Sequence, residues 1–404
     1  MIPYRQSASM FGSEEIEVAK AVLDSGLLTM GKNVSLFEEA FAEWVGAKHA
    51  VMVNSGSSAN LLAVDLMLRR TCGDVPWKVG DEVLVPALAW STTVWPLVQL
   101  GLVPVFCDVD PDTLALSLAS AETVIGPRTR GMFLIHVQGL VPDMESYRSF
   151  CEKYRLTLLE DSCETIGGHW REQHTGTFGL VGTFSAFFSH HICTIEGGIV
   201  VTSDDSLVDD LRSMRAHGWS RDRSDRAGWA RAHPEIDDRF LFVMPGYNVR
   251  PTEIQGAIGR VQVRKLDLMM TLREDRARTI VGLVPPWLRV VGHDRLPLKR
   301  ISHRSRRSRT HSWMSVMLML EPGAPMDLTV LRERLQSSGV ETRPIIAGNL
   351  TRHPAMSRIM YRQAKSLTCC DDVLSRGLMV GCHPYPVEGS VETLSSALIS
   401  LGEI

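Results

Sequence analysis

The chain has 404 residues, long enough for more than one domain, and its 44% hydrophobic and 22% charged residues are ordinary for a globular protein. A formal net charge of −3 gives no field that would draw it to nucleic acid or an anionic membrane. No apolar run approaches the ~18 residues that span a bilayer, and the opening stretch has no apolar signal core, so a cytoplasmic address is expected.

In chain order, an N-terminal arm with one helix (Ser13 to Asp24) leads through Leu28-Thr29-Met30-Gly31 into a second helix, Val34 to Val45. Strands and helices then alternate. Strands are expected at Ala50–Val53, Glu82–Val85, Val103–Cys107, Gly131–Val137 and Leu156–Leu159. Helices are expected at Leu61–Arg70, Ser91–Leu100 and Asp143–Lys153. Such alternation implies right-handed crossovers and a mostly parallel sheet covered on both faces. Ligands of these sheets sit beyond the carboxyl ends of the strands. The polar tips Asn54–Asn60, Pro86–Ser91, Asp108–Asp110, His136–Gly139 and Asp161–Glu164 should therefore converge on one crevice.

The aromatic run Phe184 to Phe188 reads as a buried strand entering a turn with two histidines, His190 and His191, and then Glu196-Gly197-Gly198 and a second strand, Ile199–Thr202. A helix over Asp205–Arg215, an irregular polar stretch over 223–242 and a long helix over Thr252–Thr279 follow. Pro285-Pro286 is the best boundary, giving a large domain over 1–284 and a small α+β domain over 285–404. Expected in the small domain are strands Ser312–Leu320, Val340–Arg343 and Gly377–Val380, and helices Leu328–Ser338, Asp371–Ser375 and Val391–Leu401.

The eight cysteines lack a Cys-x-x-Cys spacing, so neither a zinc site nor an iron–sulfur cluster is expected, and no metal is assigned. The stretch Lys299 to His311 carries six Lys/Arg in thirteen residues. It reads as a solvated loop or as an arm meeting substrate phosphates; nucleic-acid binding, the third reading, lacks support elsewhere in the chain.

Three features bear on chemistry. Asn54-Ser55-Gly56-Ser57-Ser58-Ala59 opens a helix after a strand, where small residues allow a phosphate to approach the positive helix end; a plain N-cap reads equally well. Asp161 at a strand end is either a partner for a protonated ring nitrogen or a capping carboxylate. Trp90 is either a stacking surface for a flat cofactor or a core residue. With the titratable His190 they give, in chain order, a phosphate cradle, a stacking ring, a carboxylate and a base, the parts a pyridoxal phosphate enzyme needs on an α/β scaffold.

The motifs that contain these residues resemble those of the DegT/DnrJ/EryC1/StrS family of vitamin B6-dependent sugar aminotransferases. They are Gly31 in Leu-Thr-Met-Gly, Ser55-Gly56-Ser57-Ser58, the Pro-Ala run ending at Trp90, Glu160-Asp161, Thr183-Phe184-Ser185, Glu196-Gly197-Gly198, Arg215-x-His217-Gly218, Gly246-Tyr247-Asn248-Val249-Arg250 and Thr342-Arg343-Pro344. The resemblance runs along nearly the whole chain. It implies an aspartate-aminotransferase-like fold (type I of the pyridoxal phosphate enzymes), α/β with a smaller C-terminal α+β domain. It also implies a homodimer with shared sites. Gly56, Ser57 and Ser185 would hold the cofactor phosphate, Trp90 would stack on its ring and Asp161 would pair with the ring nitrogen. Asn248 would reach the phosphate of the partner's cofactor. Met30, His217, Arg250, Arg343 and His383 are plausible contacts to substrate or partner.

One position departs from the aminotransferases of this family, which carry the cofactor-binding lysine six residues before the Glu of Glu-Gly-Gly. Here that position is His190, and none of the eight lysines falls in a cofactor motif. Imidazole cannot form an imine with an aldehyde, so non-covalent binding is expected, as pyridoxamine 5′-phosphate. The histidine form, with Glu164, resembles the family's 3-dehydratase branch, which makes 3-deoxysugars from nucleotide-linked 4-keto-6-deoxysugars. The absence of cysteine between Cys193 and Cys369 matches the cluster-free type. The implied reaction uses His190 as the base, expels the 3-hydroxyl, releases ammonia and restores the cofactor amine from L-glutamate. The alternatives are a sugar aminotransferase of the same family, a binding protein without turnover, and related pyridoxal chemistry on a secondary metabolite.

Overall fold

The structure is a computed structural model that describes residues 2–69, 76–296 and 309–403. Its first half follows the expected alternation closely. Helices α1 (Ser13–Ser25) and α2 (Lys32–Val45) precede β1 (His49–Val53), α3 (Gly56–Arg69), β2 (Glu82–Pro86), α4 (Ser91–Gln99) and β3 (Val103–Cys107). Then come α5 (Leu118–Glu122), β4 (Thr129–Ile135), α6 (Met144–Tyr154) and β5 (Thr157–Asp161). A two-residue hairpin, β6 (His169–Trp170) and β7 (Gln173–His174), leads to β8 (Val181–Ser185) and β9 (Gly198–Thr202).

The second half contains α7 (Asp205–Arg215), α8 (Arg226–Ala232), α9 (Glu253–Val281), β10 (Leu288–Val290), β11 (Ser315–Leu320), α10 (Leu328–Ser337) and β12 (Thr342–Arg343). It ends with β13 (Arg362–Gln363), α11 (Thr368–Arg376), β14 (Gly377–Gly381) and α12 (Ser390–Leu401).

Eight strands form one sheet in the order β1-β9-β8-β5-β4-β2-β3-β13. Its pairings are parallel except those of β9, which runs against both β1 and β8. β2, β8 and β9 are buried at every residue, as expected of near-continuous apolar runs covered on both faces. The second sheet is antiparallel, in the order β10-β11-β14-β12, and has its own apolar core with α10 and α12 residues such as Leu331, Leu335, Leu394 and Leu398. The boundary near residue 285 is crossed in one respect. Ile345, Leu350, Met356, Leu367 and Val373 pack into the core of the large sheet, and β13 pairs in parallel with β3 on that sheet's edge.

Helix α9 links these parts. It starts with a reciprocal cap, Thr252 Oγ1 accepting the Gln255 N–H (3.4 Å) while Gln255 Oε1 accepts the Thr252 N–H (2.7 Å). Its first residue, Glu253, accepts the N–H groups of Gly31 (2.7 Å), Asn33 (2.8 Å) and Val34 (3.0 Å). One carboxylate thus satisfies the otherwise orphaned donors at the start of α2.

Three expectations need correction. The strand read into Phe184–Phe188 ends at Ser185, and Phe187 and Phe188 are 40% and 41% exposed. The stretch 223–242 contains α8 and a 3-10 turn at Asp238–Phe240. No residue of α8 is buried, so it leaves no apolar period to read. It is framed instead by local polar pairs, Trp229 Nε1 to Asp225 (3.1 Å) and Arg226 to Asp238 (2.8 Å). Asp108 does not join the crevice. Its carboxylate accepts the N–H groups of Cys369 (3.0 Å) and Cys370 (2.9 Å) at the start of α11. Residues 297–308, most of the basic stretch, lie outside the described residues, as does Cys72. Among the described residues no helix is long and apolar enough to cross a membrane.

Candidate active site

Asp161 ends β5 at the carboxyl edge of the sheet. Its Oδ2 accepts from Asn60 Nδ2 (2.8 Å) on α3 and Thr93 Oγ1 (2.6 Å) on α4, and its Oδ1 accepts the Cys163 N–H (3.1 Å). Asn60 is itself held, its Oδ1 accepting from Thr183 Oγ1 (2.6 Å) on β8. The carboxylate is buried, and no Lys, Arg or His pairs with it among the described residues. A buried anion held only by neutral donors lacks the counter-charge such a group needs.

Asp161 lies on a cavity of about 370 Å³. Gly56 and Ser57 line it from the first turn of α3, Trp90 from the start of α4, Gln138 from beyond β4, and Cys163 and Glu164 from beyond β5. Ser185 at the end of β8 and His190 beyond it line it too, and Ser315, Arg343 and Met379 of the second sheet close it. Ser55 Oγ caps the Ser58 N–H (3.1 Å), and the N–H groups of Gly56 and Ser57 precede that cap, where an α-helix has no intrahelical acceptors. A Cβ on Gly56 would lie 2.8 Å from Ser185 Cβ and 3.0 Å from Cys163 Sγ. The absence of a side chain is what lets this helix end close on β8. Trp90 is 56% exposed, so its indole face is free for a flat ligand.

His190 lines the same cavity. Its Nδ1 is 2.8 Å from the Cys163 carbonyl oxygen, its N–H donates to the Phe187 carbonyl (2.9 Å), and its ring meets Phe187 edge-on at 5.9 Å. Burial pushes the imidazole down to about 4, against the opposing pull of the Cys163 carbonyl and the Asp161 carboxylate. His190 is therefore neutral at pH 7. Burial pushes Glu164 up to about 7, with the Asp161 charge adding to the rise, while its Oε2 accepts the Gln138 N–H (3.1 Å). His191 points away, its Nε2 at 3.1 Å from the Ser312 carbonyl, and is buried.

The profile of the DegT/DnrJ/EryC1/StrS aminotransferase family matches residues 10–398. The chain belongs to that family. Among its curated relatives, GDP-4-keto-6-deoxy-D-mannose 3-dehydratase of Yersinia pseudotuberculosis is 34% identical over 401 residues, covering 98% of each chain. The protein of the same name from Escherichia coli O55:H7 is 33% identical, covering 98% of this chain and all of the relative. A crystal structure of GDP-4-keto-6-deoxymannose-3-dehydratase, a histidine-to-asparagine variant with bound GDP-perosamine, superimposes with a TM-score of 0.88 at 33% identity, over 98% of this chain and 100% of that one. Another, with a trapped PLP-glutamate geminal diamine, gives 0.86 at 32% identity over the same shares.

This family member brings Gly56, Ser57, Trp90, Asp161, Glu164, Ser185, His190 and Arg343 to one cavity. Met30, His217, Asn248 and Arg250 do not line it. Two backbone bridges, Thr29↔Thr252 and Ala216↔Asn248, join the segments that carry them. Asn248 Oδ1 accepts from Arg250 Nε (3.1 Å), and Trp219 lies between His217 (5.0 Å) and the Arg250 guanidinium (5.7 Å). His383 belongs to neither group. It is buried, stacks on Tyr4 at 5.0 Å and faces the Arg5 carbonyl at 3.2 Å. It does not line the cavity.

Sequence reasoning missed Thr93 and Ser315, and it carried Asn60 and Gln138 only within strand tips expected at the crevice, without a role for either. Asn60 left one usable signal, an amide on the inner face of a helix one turn after Gly56. Gln138 left another, standing before Gly139 with a positive φ of 49°.

Proposed function

We propose that this chain removes the 3-hydroxyl of a nucleotide-linked 4-keto-6-deoxyhexose, using pyridoxal 5′-phosphate and its amine form, pyridoxamine 5′-phosphate, with L-glutamate as amino donor. The observation that carries this reading is His190 at the cavity wall, where the Cys163 carbonyl occupies one ring nitrogen and leaves the other free. A GDP-linked 4-keto-6-deoxymannose is the substrate favoured by the names of the relatives.

The residues fit the cofactor. Asp161 offers an unpaired buried negative charge to a protonated ring nitrogen, the opening of α3 with Ser185 offers donors to a phosphate, and Trp90 offers a flat face. When bound, the cofactor supplies an amine for the sugar ketone and a ring that draws electrons away from the reacting carbon. Asp161 keeps that ring cationic. His190 accepts a proton at Nε2 and returns it to the oxygen of the departing 3-hydroxyl, general base first and general acid second. Being unable to form an imine, it also leaves the cofactor's reactive carbon to substrate and donor. Glu164, poised near neutrality, holds or gives a proton beside the same ring. Arg343 faces the open side of the cavity, suited to an anionic group of substrate or donor.

That Met30, His217, Asn248 and Arg250 lie away from the cavity of their own chain supports a homodimer in which each copy completes the other's site. The purified chain, supplied with cofactor, glutamate and GDP-4-keto-6-deoxymannose, should yield a sugar lacking the 3-hydroxyl oxygen by mass spectrometry. An amino sugar as the product would sink the reading in favour of transamination.

A further inference from the structure

Arg273 on α9 is 2% exposed, and no carboxylate pairs with it among the described residues. Its Nη1 donates to the carbonyls of Cys382 (2.8 Å), Met314 (3.0 Å) and Trp313 (3.4 Å), and its Nη2 donates to the carbonyl of His190 (3.2 Å). The nearest acidic protons belong to Tyr4 and Cys382, and burial pushes both groups up, Cys382 to about 12, so both stay neutral. Burial draws Arg273 down to about 10, which leaves it cationic at pH 7. A buried guanidinium without a counter-anion is a costly way to join carbonyl groups that water or an amide could serve. Its location suggests a use for the charge.

We propose that Arg273 is a positioning residue for His190, clamping the back of the histidine turn to the second sheet through four carbonyls so that the ring is held toward the cavity. The proposal rests on the reading of His190 as the base. The ring is fixed at Nδ1 by the Cys163 carbonyl and its backbone carbonyl by Arg273. The groups facing the ring are Asp161 at the end of β5, Glu164 just beyond it, its neighbour His191, the Phe187 ring and Arg273 from α9. The Arg273 charge disfavours imidazolium at His190, as it does at His191 and His383. Asp161 acts on His190 in the opposite sense. Burial is the main reason the base stays neutral, and the Arg273 charge acts in the same sense.

The test compares Arg273→Gln and Arg273→Lys in the full chain by two readouts. One is the imidazole titration of His190 by NMR, its signal identified with His190→Asn; the other is kcat and KM of the loaded enzyme. Arg273→Gln should raise the His190 midpoint, as expected from losing a nearby interior positive charge. It should lower kcat roughly tenfold to a hundredfold, the cost of a misplaced reacting group, with KM little changed. Arg273→Lys should keep the midpoint near that of the unmodified protein and recover part of kcat. Folded Arg273→Gln with an unmoved midpoint overturns the proposal, even if kcat and stability fall together. If Arg273→Gln does not fold, an unchanged kcat in Arg273→Lys overturns it. Absence of dehydration by the unmodified chain removes the functional reading instead, and the titration then shows whether Arg273 governs His190.

Discussion

The carbonyl oxygen of Cys163 lies 2.8 Å from Nδ1 of His190. A carbonyl can only accept, so this nitrogen carries the ring's hydrogen, and the neutral imidazole presents its lone pair at Nε2. Two residues beyond Asp161, the chain thus sets the tautomer of a base that arrives from another strand.

Replacing His190 tests that base directly. His190→Asn keeps a polar side chain but removes the basic nitrogen, and dehydration should fall by about 10²–10⁴-fold, with cofactor affinity retained in an equilibrium titration. His190→Lys should instead give an absorbance band typical of an imine and lose dehydration. Unchanged dehydration in either variant would remove His190 from the role of base.

Gly56 should not tolerate a side chain. Gly56→Ala places a methyl group 2.8 Å from Ser185 Cβ, and relief requires α3 to withdraw from β8. The expected cost is about 1–3 kcal/mol of stability, seen in thermal unfolding. Cofactor affinity should fall as well, since the donors at the helix start retreat. A variant with normal affinity would place the phosphate elsewhere.

Acid should destabilise the fold well before its carboxylates are protonated. Burial holds His311 near 3, and His190 and His383 near 4, below the ordinary histidine value of about 6.5. Between those limits the unfolded chain binds more protons than the folded one, so stability is full above about pH 6.5 and drains as pH falls. The buried His311 alone contributes a slope of about 1.4 kcal/mol per pH unit in that window. Urea unfolding at pH 7, 6 and 5 should show the midpoint dropping; a flat midpoint would contradict neutral burial of these rings.

A shared-site dimer makes a distinctive prediction for mixtures. His190→Asn and Asn248→Ala should each be nearly inactive alone. Unfolded and refolded together, they should regain roughly a quarter of the sites, because half the dimers are mixed and one site in each has both residues intact. No recovery in a mixture shown to contain mixed dimers would mean that Asn248 serves its own chain.

Much of this architecture was legible because strand tips, helix starts and small residues are local signals. Trp90 follows β2 and Asp161 ends β5, both short strands with an apolar centre, and the site follows from where parallel strands end. The less legible parts depend on residues distant in the chain. Asn60 and Thr93 look like ordinary helix polar residues until Asp161 arrives between them. Arg273 sits in a polar stretch, Leu272-Arg273-Glu274-Asp275-Arg276, where nothing local separates the one buried guanidinium from its neighbours. Phe187 and Phe188 misled for the opposite reason. Their aromatic character extends the pattern of β8 past Ser185, although the backbone has already turned toward His190.

The pairing of β13 with β3 bears on how the protein is made. β3 ends at Cys107, but its outer neighbour is Arg362–Gln363, hydrogen-bonded beside Val105 and Phe106. During synthesis that flank must wait, unpaired and apolar, until most of the chain has left the ribosome. An open strand edge is a template for association with other chains. A nascent chain stalled before residue 362 should therefore be more prone to aggregation, and more dependent on chaperones, than the finished protein.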